Sequence, residues 1–383
     1  MRVLFATPVY WPAIAFGGPI WVARELTEGQ VRRGQDVDVL TTSLRAIGEP
    51  PAERWRSLQR ELGGVRIHEL ATPLRYRWMG VTPTAPLALR ALPRPDVAHV
   101  FGFRDVVTTT AAAWCRRRGI PYVFEPLNMV KPQFRNLPLK RAFDRVLGDP
   151  VIRGARLIVA NSEHEREQLV ELGLDVRRIV VRPNGFPAPH SERSDILRAR
   201  IGLDAETPLV LNVGRWSFKK GLDLLLEAVV EIPQAHLALV GFDDGDGTRA
   251  VLERLRDRDG LRERVHLLPP LDERQPRELY AEADVFVLPS RDESFGMVAA
   301  EAAAAGTASV VTDQCGVAEL LGDRAALVVP VDVGAIRGAI DRLLRDRELR
   351  ARLGEGGRAV AAETSWEAVV ALQETYYRQA MDA

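Results

Sequence analysis

The chain has 383 residues, 46% hydrophobic and 27% charged, a length that exceeds one ordinary domain and a composition that supplies two cores. No apolar run approaches the roughly 18 residues that cross a bilayer, which excludes a transmembrane helix. The net charge of zero divides into 28 basic against 18 acidic residues over positions 1–190 and 24 against 34 over 191–383, so the halves either complement each other or the first meets an anionic partner.

Short β-branched runs alternate with amphipathic stretches, the mark of a parallel sheet covered by helices. The first run, Arg2-Val3-Leu4-Phe5-Ala6-Thr7, reads as a buried strand rather than a signal peptide. Further strands are expected at 36–42, 65–70, 97–101, 122–125, 157–160 and 179–182, then at 209–213, 237–240, 265–268, 285–288, 309–312 and 326–329. Helical patterns separate them, among them 19–33, 222–231 and 249–256. Pro183, Gly185, Pro187 and Pro189 interrupt the series, because closely spaced prolines cannot sit in a helix interior. The fold class is therefore α/β, two Rossmann-like doubly wound domains at 1–186 and 187–364. The carboxyl ends of both strand sets are expected to face a shared cleft, where ligands bind in such folds. The last stretch, 365–383, holds an amphipathic helix that either caps the second domain or crosses back to the first.

The strongest chemical signal runs from Leu288 to Gly306. A strand ends in Pro289-Ser290-Arg291-Asp292-Glu293-Ser294-Phe295, and a helix of small residues opens at Gly296-Met297-Val298. Free N–H groups in a first helical turn, with the helix dipole, attract a diphosphate. Gly296 is expected to let that ligand come close. Glu293 just before the helix and Glu301 inside it face the same mouth. Singly, each glutamate is most simply a cap or a solvated helix residue; the whole pattern favours binding.

The second signal is Gly214-Arg215-Trp216-Ser217-Phe218-Lys219-Lys220-Gly221, where a strand ends in Gly-Arg and a Lys-Gly opens the next helix. Arg215 and Lys220 there could neutralise a departing diphosphate, while either alone would be solvated surface. The Gly-x4-Gly-Lys-Ser/Thr order of a P-loop is absent, as is a Gly-x-Gly-x-x-Gly after the first strand, which argues against an NAD-dependent dehydrogenase. Scattered basic residues and no recognition module argue against nucleic acid. Cys115 and Cys315 stand far apart without ligand spacing, so a reducing, cytoplasmic setting is expected.

These stretches, with Arg182-Pro183-Asn184-Gly185, Phe16-Gly17-Gly18-Pro19, Asn161-Ser162-Glu163 and Gly316-Val317-Ala318-Glu319, resemble the retaining GT-B glycosyltransferases of family four, the group 1 type. The resemblance spans essentially the whole chain. It implies a C-terminal helix that crosses back to an acceptor-binding first domain, and a second domain that binds the sugar donor. It implies that Arg215 and Lys220 contact the donor diphosphate. Glu293 would hold sugar hydroxyls with the backbone around Ser294, Phe295, Gly296, Met297 and Val298, and Glu301 the ribose. Gly17 and Gly18 would let backbone approach the phosphate. A nucleotide-diphosphate sugar is then the co-substrate, with no cofactor and no metal, and Asp243-Asp244-Gly245-Asp246 reads as a turn. A sensor that binds the nucleotide sugar without catalysis is the remaining alternative, though the intact residue set argues against it.

One departure concerns the loop after the fifth N-terminal strand, where many members carry a histidine and this chain has Leu127. His99, Glu125 and Asn128 are the acceptor-side candidates, and His266–Pro270 a candidate for the base. No carboxylate stands out as a nucleophile, so the resemblance implies a same-face reaction in which the leaving phosphate oxygen takes the acceptor proton. The acceptor is read as a lipid-linked or cell-surface glycan, with a soluble small molecule as the alternative. The basic segment from Lys131 to Arg145 is either a surface helix or a peripheral contact with an anionic membrane.

Overall fold

The computed structural model describes residues 1–382 except 47, 77–78, 133–136, 191–192, 259–260 and 271–277. The chain forms two compact units, Met1–Pro183 with Trp366–Ala383, and Asn184–Ser365.

The strands in chain order are β1 (Arg2–Ala6), β2 (Asp36–Thr42), β3 (Leu58–Leu62), β4 (Val65–Leu70), β5 (Leu74–Tyr76), β6 (Met79–Val81), β7 (Val97–Phe101), β8 (Tyr122–Glu125), β9 (Leu157–Ala160) and β10 (Ile179–Val181) in the first unit. The second unit has β11 (Leu209–Val213), β12 (His236–Val240), β13 (Val265–Leu268), β14 (Val285–Leu288), β15 (Ser309–Thr312) and β16 (Ala326–Val329). The first sheet runs β10-β9-β8-β7-β1-β2-β4-β3, parallel except for the antiparallel edge strand β3; β5 and β6 form a separate hairpin. The second runs β13-β12-β11-β14-β15-β16 and is wholly parallel. Central strands such as β7, β11 and β14 are buried at every residue, as a sheet covered on both faces requires.

The helix Trp366–Asp382 packs within the first unit. Gln30 Nε2 donates to the Val370 carbonyl at 3.0 Å, Arg33 bonds Glu374 at 2.7 Å, and Tyr376 Oη donates to the Val181 carbonyl at 2.8 Å. A methyl group on Gly29 would stand 2.5 Å from Val370, so the glycine is what lets this helix lie against Gly18–Arg32. At the other end of the join, Phe186 is buried against Phe295 and its N–H donates to the Thr364 carbonyl at 2.8 Å, which places 184–186 in the second unit.

In that second unit the alanine-rich helix Met297–Ala305 is buried along most of its length. Helix Arg347–Glu363 approaches it through Gly354 and Gly357, where a Cβ would meet the Gly306 carbonyl at 2.2 Å and the Ala303 carbonyl at 2.8 Å. The small residues on both helices thus let the two pack at close range. Among the described residues no helix is long and apolar enough to cross a membrane.

Candidate active site

Two loops at the carboxyl ends of the neighbouring strands β11 and β14 carry the charged residues, and they pair in register. Arg291 donates its backbone N–H to the Lys219 carbonyl at 2.8 Å. Its guanidinium lies 4.2 Å over the Phe218 ring and holds Asp223 through two hydrogen bonds of 2.8 and 2.7 Å. Lys219 Nζ stands 2.5 Å from Asp292, and Lys220 Nζ donates to Glu293 Oε2. Three consecutive residues of one loop thus face three of the other. Gly221 makes the approach possible: its φ is +64°, and a Cβ would lie 2.0 Å from the Pro289 carbonyl.

Burial alone would raise the Glu293 carboxyl, but Lys220, then Lys219 and Arg215, outweigh it and hold it below the ordinary carboxylate range. Arg215 leans on Asp244 at 3.0 Å, and the other acids of that run make turn bonds, Asp243 to the Gly245 N–H and Asp246 to the N–H groups of Thr248 and Phe218, each at 2.9 Å. Glu301, half a helix further on, accepts a hydrogen bond from the buried Tyr280 hydroxyl.

The helix Met297–Ala305 begins at Gly296 without a side-chain cap, and its first N–H groups point where an anion would be held. Gly296 is required for a reason other than ligand approach. Its φ is +107°, and a Cβ would sit 2.8 Å from Leu288 and 3.1 Å from Val317, so the protein itself fills that space. Phe295 turns its ring into the core and leaves only backbone for the site; Ser294, Met297 and Val298 are half-buried. Arg215, Lys220 and Glu293 thus stand at the ends of β11 and β14, while Glu301 lies further along the helix that follows β14, bonded to Tyr280 of the helix before that strand. Lys219, Arg291 and Asp292 belong to the same loops, with Asp223 in the helix turn that follows Gly221, and were not singled out from sequence, although the doubled Lys219-Lys220 and the triplet Arg291-Asp292-Glu293 carry complementary charge.

In the first unit Gly17 holds φ +84° and caps the helix Gly18–Arg32, again with no side-chain cap. The acceptor-side candidates fare differently. His99 and Glu125 are fully buried, with His99 Nε2 3.1 Å from Glu125 and its Nδ1 2.8 Å from Tyr377 Oη. Arg182, equally buried, donates to Glu125 at 2.6 Å. Burial outweighs Glu125 and pushes the His99 pKa down. Both side chains lie inside the fold, where the His99–Tyr377 bond ties β7 to the C-terminal helix and Arg182 holds Glu125 of β8, so neither is exposed toward an acceptor, contrary to expectation. Asn128 remains in the loop itself. Leu127 and Asn128 take φ values of +55° and +56°, a conformation that costs free energy for non-glycine residues and clusters at functional loops. Glu165 holds them there, accepting the N–H of Asn128 and, at 2.8 Å, that of Asn161; it is the glutamate that completes the Ser162 capping turn.

His266 is stacked on His236 with ring centroids 5.5 Å apart and an Nε2–Nδ1 contact of 3.2 Å, so its ring is occupied away from the strand ends expected to meet a base. The basic segment is helical over Leu137–Phe143 and continues as a π-turn over Asp144–Gly148, with Leu139, Val146 and Leu147 exposed; its residues 133–136 lie outside the described residues.

Doubly wound units with cations and acids gathered at strand carboxyl ends form the class of α/β protein that binds ligands, commonly nucleotides, at that end of the sheet. Residues 193–360 match the model of the glycosyl transferases group 1, and residues 17–185 that of the glycosyl transferase 4-like domain. The D-inositol 3-phosphate glycosyltransferase of Xylanimonas cellulosilytica is 31% identical over 95% of this chain and 92% of its own, and that of Mycolicibacterium smegmatis 35% identical over 92% and 84%. Among solved structures, sucrose-phosphate synthase from Thermosynechococcus elongatus shares the fold with a TM-score of 0.75 at 23% identity, covering 99% of this chain and 98% of that one. The Anabaena HepE protein in complex with UDP-glucose shares it with a TM-score of 0.76 at 20% identity, covering 98% and 100%. The chain belongs to the group 1, family-four glycosyltransferases, with their two-domain GT-B fold.

Proposed function

We propose that this glycosyltransferase is retaining and metal-independent, and that it moves a sugar from a nucleoside diphosphate sugar to a hydroxyl of a small, soluble, phosphorylated polyol. The carrying observation is the pairing of Lys220 with Glu293 at the uncapped start of helix Met297–Ala305, with Arg215 near Glu293 and Glu301 further along that helix. Arg215 and Lys220 take the diphosphate, aided by the N–H groups after Phe295; Glu293 takes hydroxyls of the transferred sugar and Glu301 the ribose. The second unit is then the donor-binding domain and the first the acceptor-binding one, with the uncapped helix after Gly17 offering further N–H groups to an anion.

Charge that develops on the leaving diphosphate is met by fixed cations and backbone dipoles, which leaves no step that calls for a metal. The glycosidic bond to the phosphate oxygen breaks while the acceptor oxygen enters on the same face, and its proton passes to that phosphate oxygen. The protein's part is position and electrostatics.

The acceptor class is supported by the curated relatives, which are named for inositol 3-phosphate; these names favour a small phosphorylated acceptor over a lipid-linked or cell-surface glycan. The donor class is supported by the neighbour solved with UDP-glucose. A thermal-shift screen of UDP, GDP, ADP and their sugars identifies the donor, because selective binding stabilises the fold with the logarithm of ligand excess over Kd. Transfer is then measured to inositol phosphate and to a polyprenyl-linked glycan in parallel. Turnover only with the lipid-linked acceptor rejects the acceptor proposed here, and inversion at the anomeric carbon of the product rejects retention.

A further inference from the structure

We infer that Arg291 is a positioning residue of the transfer site: by clamping Asp223 and Phe218 it sets the separation of Lys220 and Glu293. The inference rests on the donor-site reading given above.

The two loops need a tie of their own. Strands β11 and β14 pair through Val210 with Val285 and Leu211 with Phe286, whereas the charged residues begin at Arg215 and Arg291, past the ends of both strands. Arg291 supplies that tie in three ways. Its guanidinium, 20% exposed, grips both oxygens of Asp223 in the first turn of helix Leu222–Val230. It donates to the Phe218 carbonyl at 2.9 Å and covers the Phe218 ring, while its backbone N–H holds the Lys219 carbonyl. A planar fork held at two oxygens fixes orientation as well as distance. The neighbouring contacts of Lys219 and Lys220 are single contacts from flexible stems, which cannot do this alone. Arg291 therefore stands one rung from Lys219 and two from Lys220, gripping the helix and loop that carry them without itself being required to touch a ligand.

The test is a double-mutant cycle on the full chain, with Arg291→Gln, Asp223→Asn and the pair, measuring kcat, donor KM and the affinity for UDP, GDP or ADP, beside the melting point. A misplacement of about 1 Å can cost about 100-fold in rate. The expected result is a kcat lowered about 10- to 100-fold in each single variant, with donor KM within about threefold, and a double variant no slower than the slower single one, since residues acting as one clamp are non-additive. Arg291→Lys, which keeps the charge but loses the fork, falls between wild type and Arg291→Gln and covers the case in which the latter does not fold. Near-wild-type kcat in both singles, losses that multiply in the double, or losses that follow the melting point alone overturn the positioning role while the donor site stands. A wild-type chain that turns over no nucleotide sugar overturns both.

Discussion

Lys220 Nζ bonds Glu293 Oε2 across 73 residues of sequence, so two groups expected to grip different parts of one donor grip each other. The exchange has a physical logic. An ammonium has three donors and can turn toward a diphosphate, and the carboxylate it loosens becomes available to sugar hydroxyls. On the proposed donor assignment, binding of the charged half of the donor would thereby be coupled to recognition of the neutral half.

Lys220→Ala is expected to lower kcat about 100- to 1000-fold, the usual cost of removing one group that meets charge developing in a transition state. It also removes the principal counter-charge that keeps Glu293 ionised against burial. In the wild type the acid limb of kcat/KM is expected below the ordinary carboxylate range; in the variant it is expected at higher pH, because burial then acts with less opposition. A pH–rate series on both proteins checks this, and an acid limb that stays in place would separate Glu293 from Lys220 in function.

Much of this site was legible in sequence because the chemistry is local to strand ends. Arg215 and Lys220 follow β11 within seven residues of Val213, Glu293 precedes the helix after β14, and Glu301 lies within that helix. The thirteen strands of mostly β-branched or apolar residues were readable for the same reason: a buried parallel strand needs little but such residues. The edge strand β3, Leu58-Gln59-Arg60-Glu61-Leu62, is half-exposed and mostly polar, so no pattern announces it, and β5 and β6 are three residues each. What sequence could not supply is pairing between distant segments. Nothing local says that Arg291 seeks Asp223, that His99 looks inward to Tyr377, or that Gly296 makes room for Leu288 rather than for a ligand.

Tyr377→Phe tests the structural reading of His99. The hydroxyl is fully buried and bonded to the ring at 2.8 Å, so its loss should cost about 1–3 kcal/mol of stability, the range for a buried hydrogen bond whose partner is left unpaired. Urea unfolding should show it, with kcat within about twofold of wild type. A large fall in kcat at unchanged stability would return His99 to the acceptor side.

Gly296→Ala should destabilise the second unit by roughly 2–4 kcal/mol, combining the left-handed backbone with overpacking against Leu288. The same change at the exposed Gly245, also at positive φ but with open space around it, should cost only the backbone share, about 1 kcal/mol. Equal losses at the two positions would show that the contacts with Leu288 and Val317 do not matter.

Adding EDTA should leave turnover standing. The acids nearest the site are engaged with cations or with turn N–H groups, and among the described residues no group of three or more His, Cys, Asp or Glu is arranged to hold an ion. Full loss of activity, restored by magnesium or manganese, would require a metal brought in with the donor.

Tyr280→Phe separates binding from chemistry. The buried hydroxyl donates to Glu301 Oε2, one turn and more into the helix from the loop that carries Glu293. If Glu301 receives the ribose, it acts far from the bond that breaks, and its contact is the same in the ground state and the transition state. Interactions of that kind appear in KM and not in kcat. Without the phenol oxygen the carboxylate loses one of the contacts that hold its rotamer, and some of the ordering once built into the fold must be supplied when donor binds. The expected result is a donor KM raised about 3- to 10-fold, an acceptor KM unchanged, and a kcat within about twofold at saturation. Steady-state kinetics with each substrate varied in turn measure all three. A drop in kcat with KM intact would place Glu301 at the reacting centre instead, and the assignments of the two glutamates would have to be exchanged.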